Sequence, residues 1–148
     1  MHLVTKLIFT AKWFKSKKLT LLAELTYKLY RIIFSCDIHY SVDMDKSIKL
    51  YHNGLGVVIH RKAKLGKNVS IYQNVTIGGN GKTEHLNGSP VIGDNVIIGA
   101  GAVVLGPVTI GDYVKVGANA VVNIDIGQYS TAVGVPAVEI KKIYPSNL

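Results

Sequence analysis

Aliphatic residues stand at Ile92, Ile98, Val104, Ile110, Val116 and Val122, one every six positions. The place after them is mostly glycine (Gly93, Gly99, Gly111, Gly117), and four places after come Val96, Ala102, Val108, Val114 and Ala120. A helix would repeat its apolar positions every three or four residues, and an ordinary half-buried strand every two. A hexad fits neither. It fits short parallel strands wound into a β-helix, with glycine easing the corners. The same spacing starts earlier, at Ile38, Met44 and Leu50, breaks around residues 53–58, and resumes at Ile59, Leu65, Ile71 and Ile77. A second break, residues 79–89, is rich in glycine and polar residues and predicts an exposed loop. Three hexads per turn give about five coils.

Ahead of the hexads the period changes. Leu22, Leu25, Thr26, Leu29 and Ile33 form a stripe spaced by three and four, which predicts a helix over 19–34. A basic, aromatic lead-in precedes it (Lys12-Trp13-Phe14-Lys15 and Lys17-Lys18). The expected organisation is therefore a basic amphipathic helical segment over 1–36 and a β-helix with a C-terminal tail over 37–148.

The net charge of +8 sharpens this division, because residues 1–36 carry seven basic side chains against Glu24 alone. Two readings of the segment stay open: a helix that caps the β-helix or packs on a partner, and an amphipathic helix lying on an anionic membrane surface. Nucleic-acid binding is not expected, since no recognition motif accompanies the charge. No stretch reaches the roughly 18–20 apolar residues of a membrane-spanning helix. Lys6 and Lys12 interrupt any secretory apolar block. One cysteine, Cys36, excludes an intrachain disulfide and suits a reducing compartment. A cytoplasmic location is expected, with peripheral contact at the inner membrane face under the second reading.

Of the five histidines, His52 stands at a register break beside Gly54, where a side chain can project from the coil. His39 reads as structural, His60 as a solvated face residue, and His85 lies in the exposed loop. No histidine pair has metal-ligand spacing, so no metal is expected. Gly81-Lys82-Thr83 does not make a phosphate-binding P-loop, because position 76 is Thr where that motif needs glycine.

Five segments in order resemble the hexapeptide-repeat acyltransferases, in their serine acetyltransferase-like branch. They are Asp37-Ile38-His39, residues 50–54 (LYHNG), residues 75–82 (VTIGGNGK), residues 98–101 (IGAG) and residues 134–137 (GVPA), within about 110 residues from Asp37 onward. The resemblance implies a left-handed parallel β-helix, a homotrimer, and acetyl transfer from acetyl-CoA to a hydroxyl in clefts between subunits. It implies His52 as general base and Asp37 as the carboxylate that orients it. Gly78, Gly79, Lys82, Gly99, Ala100 and Ala118 would line the acetyl-CoA path, with Lys141 or Lys142 as further phosphate contacts.

The chain also departs from that branch, which carries an acidic residue just before the histidine and an Arg-His pair just before the proline ending the loop. Here those places hold Tyr51 and Gly88-Ser89. The charges that suit a serine zwitterion are missing, Tyr51 offers a flat apolar face with a hydroxyl, and the short form with its basic amphipathic start resembles capsule and exopolysaccharide O-acetyltransferases. That resemblance implies as acceptor a sugar hydroxyl of a surface polysaccharide or its precursor, contacted by Tyr51, His85 and Ser89. Free L-serine is the alternative acceptor, and a non-catalytic trimeric scaffold the alternative of another class.

Overall fold

The computed structural model describes residues 2–81 and 88–142; the side chains of residues 141 and 142 lie outside the described set. Two helices, α1 (Leu3–Ser16) and α2 (Thr20–Phe34), lead into strands of two to five residues that stack as a left-handed parallel β-helix. The strands form three faces. The first holds Asp37–Ile38, Val58–Ile59, Thr76–Gly78, Val103–Leu105 and Val121–Val122. The second holds Asp43–Met44, Lys64–Leu65, Val91–Ile92 and Thr109–Ile110. The third holds Lys49–Leu50, Ser70–Ile71, Ile97–Ile98 and Lys115–Val116, closed by the antiparallel pair Ser130–Val133 and Val138–Lys142.

The hexad has a simple physical meaning here. Its aliphatic residue is the inward one of each short strand, and the residue four places later plugs the following corner. Both sets are buried, from Ile38 and Val42 through Val122. Each such side chain contributes roughly 1.5–3 kcal/mol when fully removed from water, and only the neighbouring coils can cover it. Left-handed corners are mostly asparagine and glycine (Asn68, Asn74, Asn95, Gly101, Asn119), which tolerate positive φ best.

The registers locate both breaks in the hexad. Undisturbed coils pair Val58 with Thr76 and Val103 with Val121, eighteen positions on. Asp37 pairs with Val58, three positions further than that, and the excess lies between Leu50 and Val58. Thr76 pairs with Val103, nine positions further, and that excess lies between Gly78 and Val91. The first insertion bulges from the corner between the third and first faces. The second leaves the corner between the first and second faces, so the two flank the first face.

The N-terminal segment differs from expectation. The lead-in is itself a helix, and α1 buries Val4, Ile8 and Ala11 against α2, Lys49–Leu50 and the turn after it, plugging the open end of the coil. In α2 the buried positions are Ala23, Tyr27 and Tyr30, and the Tyr30 hydroxyl donates to the Ile38 carbonyl at 2.6 Å. The leucine stripe that predicted the helix faces outward: Leu22, Leu25, Leu29 and Ile33 are 43–59% exposed. Capping is thus done by α1, with the aromatic side of α2 between the helix and the first coil. Among the described residues no helix is long and apolar enough to cross a membrane.

Candidate active site

The three-residue insertion positions His52. Residues Tyr51–Gly54 form a tight 3-10 turn in which His52 (φ 52, ψ 34) and Asn53 (φ 53, ψ 30) both take left-handed backbone. That conformation lifts the imidazole out of the coil, where it is exposed, with no side-chain hydrogen bond to the described residues. Asp37 lies at the same corner, at the start of the first face. The Ser35 carbonyl accepts from Gly56 N–H, and Asp37 N–H donates to the Val57 carbonyl.

The two side chains are not hydrogen-bonded within the chain. Asp37 Oδ1 accepts from the Tyr27 hydroxyl at 2.5 Å, and Oδ2 lies 3.3 Å from Arg31 Nη2. Burial and the Asp37 carboxylate together raise the Tyr27 pKa, so the phenol keeps its proton and remains a donor. Tyr27 and Arg31 are therefore the contacts that hold Asp37, and neither stood out in the sequence. Their signal was the i, i+4 spacing on the aromatic side of α2, hidden by the more obvious leucine stripe.

Above the bulge the corner becomes smooth. Register places Tyr51, Tyr72, Gly99 and Gly117 in one column, and Gln73, Ala100 and Ala118 in the next. Gly99 is required sterically, since a Cβ there would meet Ala118 N at 2.7 Å and Gly117 C at 2.9 Å. Gly99, Ala100 and Ala118, expected along the acetyl-CoA path, thus stack as small residues at the corner from which, in the first coil, His52 projects. Gln73 was not anticipated; its buried Oε1 has no hydrogen-bond partner among the described residues.

Tyr51 does not present an open ring. Tyr72 stacks on it at 4.6 Å and 14°, and His2 approaches it at 5.9 Å between ring centres. One face of the Tyr51 ring, expected to receive a sugar, is thus taken by Tyr72 within the chain.

The remaining predicted residues lie at the other edge of the first face. Gly78 ends a strand of that face, and its carbonyl accepts from Gly106 N–H; Gly79 follows it. Gly78 has room for a Cβ, so packing does not demand glycine there. Ser89 stands at the foot of the loop, its Oγ 2.7 Å from His60 Nδ1. Lys82 and His85 lie outside the described residues, as do the side chains of Lys141 and Lys142. His39 is buried, with Nδ1 2.7 Å from Ser41 Oγ; burial first, and the charge of Arg61 second, lower its pKa. No cluster of three potential metal-ligating side chains occurs among the described residues.

Comparison with known proteins agrees with this architecture. Residues 89–123 match the bacterial transferase hexapeptide (six repeats) family. A serine acetyltransferase of Staphylococcus xylosus is 41% identical over 142 residues, covering 96% of this chain and 64% of that protein. The crystal structure of the Neisseria gonorrhoeae serine acetyltransferase superposes with a TM-score of 0.86 at 34% identity, over 97% of this chain and 56% of that one. A serine acetyltransferase in complex with CoA gives a TM-score of 0.80 at 30% identity, over 93% and 55%. The chain thus spans less than two thirds of these proteins. The match also extends the resemblance, from the 110 residues expected to nearly the whole chain, so α1 and α2 are part of the shared architecture. Residues 89–123 thus carry the hexapeptide repeats of bacterial transferases, and the chain is similar over nearly its whole length to serine acetyltransferases.

Proposed function

We propose that the protein is an O-acetyltransferase that moves acetyl from acetyl-CoA to the hydroxyl of a small acceptor, with L-serine the acceptor best supported by its relatives. The observation that carries this reading is His52, lifted on an inserted left-handed turn at the corner where Gly99, Ala100 and Ala118 stack as small residues. A hydroxyl is a poor nucleophile until its proton is being removed, and imidazole can take and return a proton near neutral pH.

The neutral His52 imidazole accepts the acceptor's hydroxyl proton as the oxygen attacks the thioester carbonyl. The tetrahedral intermediate expels the CoA thiolate, and the imidazolium returns its proton to that sulfur. The products are the acetyl ester and CoA, and no covalent acetyl-enzyme forms. Asp37 supports this arrangement from the same corner, while Tyr27 and Arg31 fix its carboxylate. In this reading the working assembly is a homotrimer, its clefts formed where the two insertions of neighbouring chains meet.

A sugar hydroxyl is the second reading. Gly88-Ser89 still favours it, standing where the branch carries an Arg-His pair.

Both readings share the first test. CoA release from acetyl-CoA is measured with L-serine and with a panel of sugars and nucleotide sugars. The variant His52→Asn should lower kcat by roughly 10²–10⁴. Asn suits left-handed backbone, so the turn survives, and wild-type turnover in this variant would remove His52 from the chemistry.

A further inference from the structure

Six large aliphatic side chains of α2 stand in water: Leu21, Leu22, Leu25, Leu29, Ile32 and Ile33 are 43–79% exposed. At about 100° per residue they share an arc of roughly 120°. The buried Ala23, Tyr27 and Tyr30 lie on the opposite side of the helix, so the strip points away from the body of the protein. It is not needed to close the coil, because α1 does that. A single exposed leucine is ordinary; six side by side on one helix mark a docking face.

The charges around the strip decide what covers it. Lys28 borders it on α2, and Lys15, Lys17 and Lys18 stand exposed where α1 ends and the chain turns into α2. Lys17, Lys18 and Lys28 have no carboxylate within ion-pair distance among the described residues. The acidic residue of α2, Glu24, is turned to the first coil, where it accepts from the Tyr40 hydroxyl at 2.6 Å. The strip thus carries unpaired cations along one edge and at its N-terminal end. A second copy fits this poorly. An antiparallel symmetric pair sets the two Lys28 side chains on the same edge, and a parallel pair brings the lysine-rich ends together. An anionic lipid surface takes both features at once, aliphatic side chains below the headgroups and ammonium groups among them.

We propose that the outward face of α2 docks on a membrane of anionic phospholipids. Leu25 and Leu29, at the centre of the strip, enter the acyl boundary, and Lys17, Lys18 and Lys28 meet the headgroup phosphates. The helix lies on the surface and does not cross it, its 15 residues falling short of the roughly 20 a span needs. The inference is independent of acetyl transfer and of the acceptor.

The test is co-sedimentation of the full chain with phosphatidylcholine vesicles that contain or lack phosphatidylglycerol, at low and high sodium chloride. Melting temperature and light-scattering mass are recorded for every variant. Wild type should sediment only with the phosphatidylglycerol vesicles, and less as salt rises. Leu25→Ser combined with Leu29→Ser should weaken binding roughly thirtyfold or more at an unchanged melting temperature. Each of Lys17→Gln, Lys18→Gln and Lys28→Gln should weaken it about fivefold. Lys64→Gln and Lys115→Gln remove the same charge from the second and third faces of the coil and should leave binding unchanged.

Wild type that stays in solution beside phosphatidylglycerol vesicles would overturn the proposal. Undiminished sedimentation of the double serine variant would do so too, leaving charge alone as the cause. A particle mass that halves in that variant would show the strip covered by a second copy and overturn lipid docking. Equal losses from Lys64→Gln and Lys28→Gln would reduce the binding to a general attraction of a basic protein, with no docking face.

Discussion

Left-handed backbone costs an ordinary residue roughly 1–2 kcal/mol, and two consecutive residues, His52 and Asn53, adopt it at the corner where chemistry is proposed. Asparagine bears that cost well and histidine moderately, so the turn stores strain only where it lifts the imidazole. The titration of buried residues supplies a test at the same scale. Burial pushes the Cys36 thiol up to about 11 from 9.0, and the Asp37 charge adds to the effect. Tyr30 is raised in the same direction by burial. A group whose folded pKa lies above its unfolded value stabilises the fold fully below the unfolded pKa, and that stability is lost as pH rises. For Cys36 the window runs from about pH 9 to about pH 11, and the loss is about 2–3 kcal/mol. Urea unfolding at pH 8 and pH 10.5 should show it, and Cys36→Ala should recover part of the difference. An identical loss in Cys36→Ala would place the cause elsewhere.

At the level of elements, α1 and α2 divide the labour in a way their apolar residues alone do not announce. Ile8 is fully buried where α1 closes the coil, so Ile8→Ala should cost about 2–4 kcal/mol by leaving a cavity. Leu25 on α2 is 54% exposed, so Leu25→Ala should change stability by no more than about 0.5 kcal/mol. Chemical unfolding of the two variants compares the faces directly. In the coils, Gly99→Ala would press a methyl against the backbone of Gly117 and Ala118, which cannot yield as a side chain can. It should cost about 1–3 kcal/mol, read as a lower melting temperature, and should weaken CoA binding if the cofactor runs along this corner as proposed.

For the whole molecule, the two insertions matter more than the regular coils, because they break an otherwise uniform prism at both edges of one face. Between them lies a cleft with Asp37, His60 and Arg61. The proposed trimer has a direct measure: light scattering should give three times the 16.1 kDa of the chain, and activity should disappear when dilution dissociates the assembly. A catalytically active species at the mass of one chain would contradict the intersubunit site.

How much of this was legible in the chain depends on the range of the interaction. The hexad from Ile38 to Val122 determined the β-helix and its inward residues, because each short strand repeats one local geometry. The interruptions after Leu50 and after Gly78 likewise marked both insertions, and the first of them marked His52. Local pattern failed where contacts join distant segments. The leucine stripe of α2 predicted the helix correctly and its buried side wrongly, since only the docking of Tyr27 and Tyr30 on the first coil decides which side is covered. The stacking of Tyr72 on Tyr51 and the contact between His60 and Ser89, twenty-nine residues apart, arise from the register of coils, and the seizure of Asp37 by Tyr27 and Arg31 from the docking of α2 on the first coil. Period six dictates the coil; which side chains meet across its corners was decided by the tertiary structure, because each insertion loops out and changes the sequence separation of the residues that stack across it.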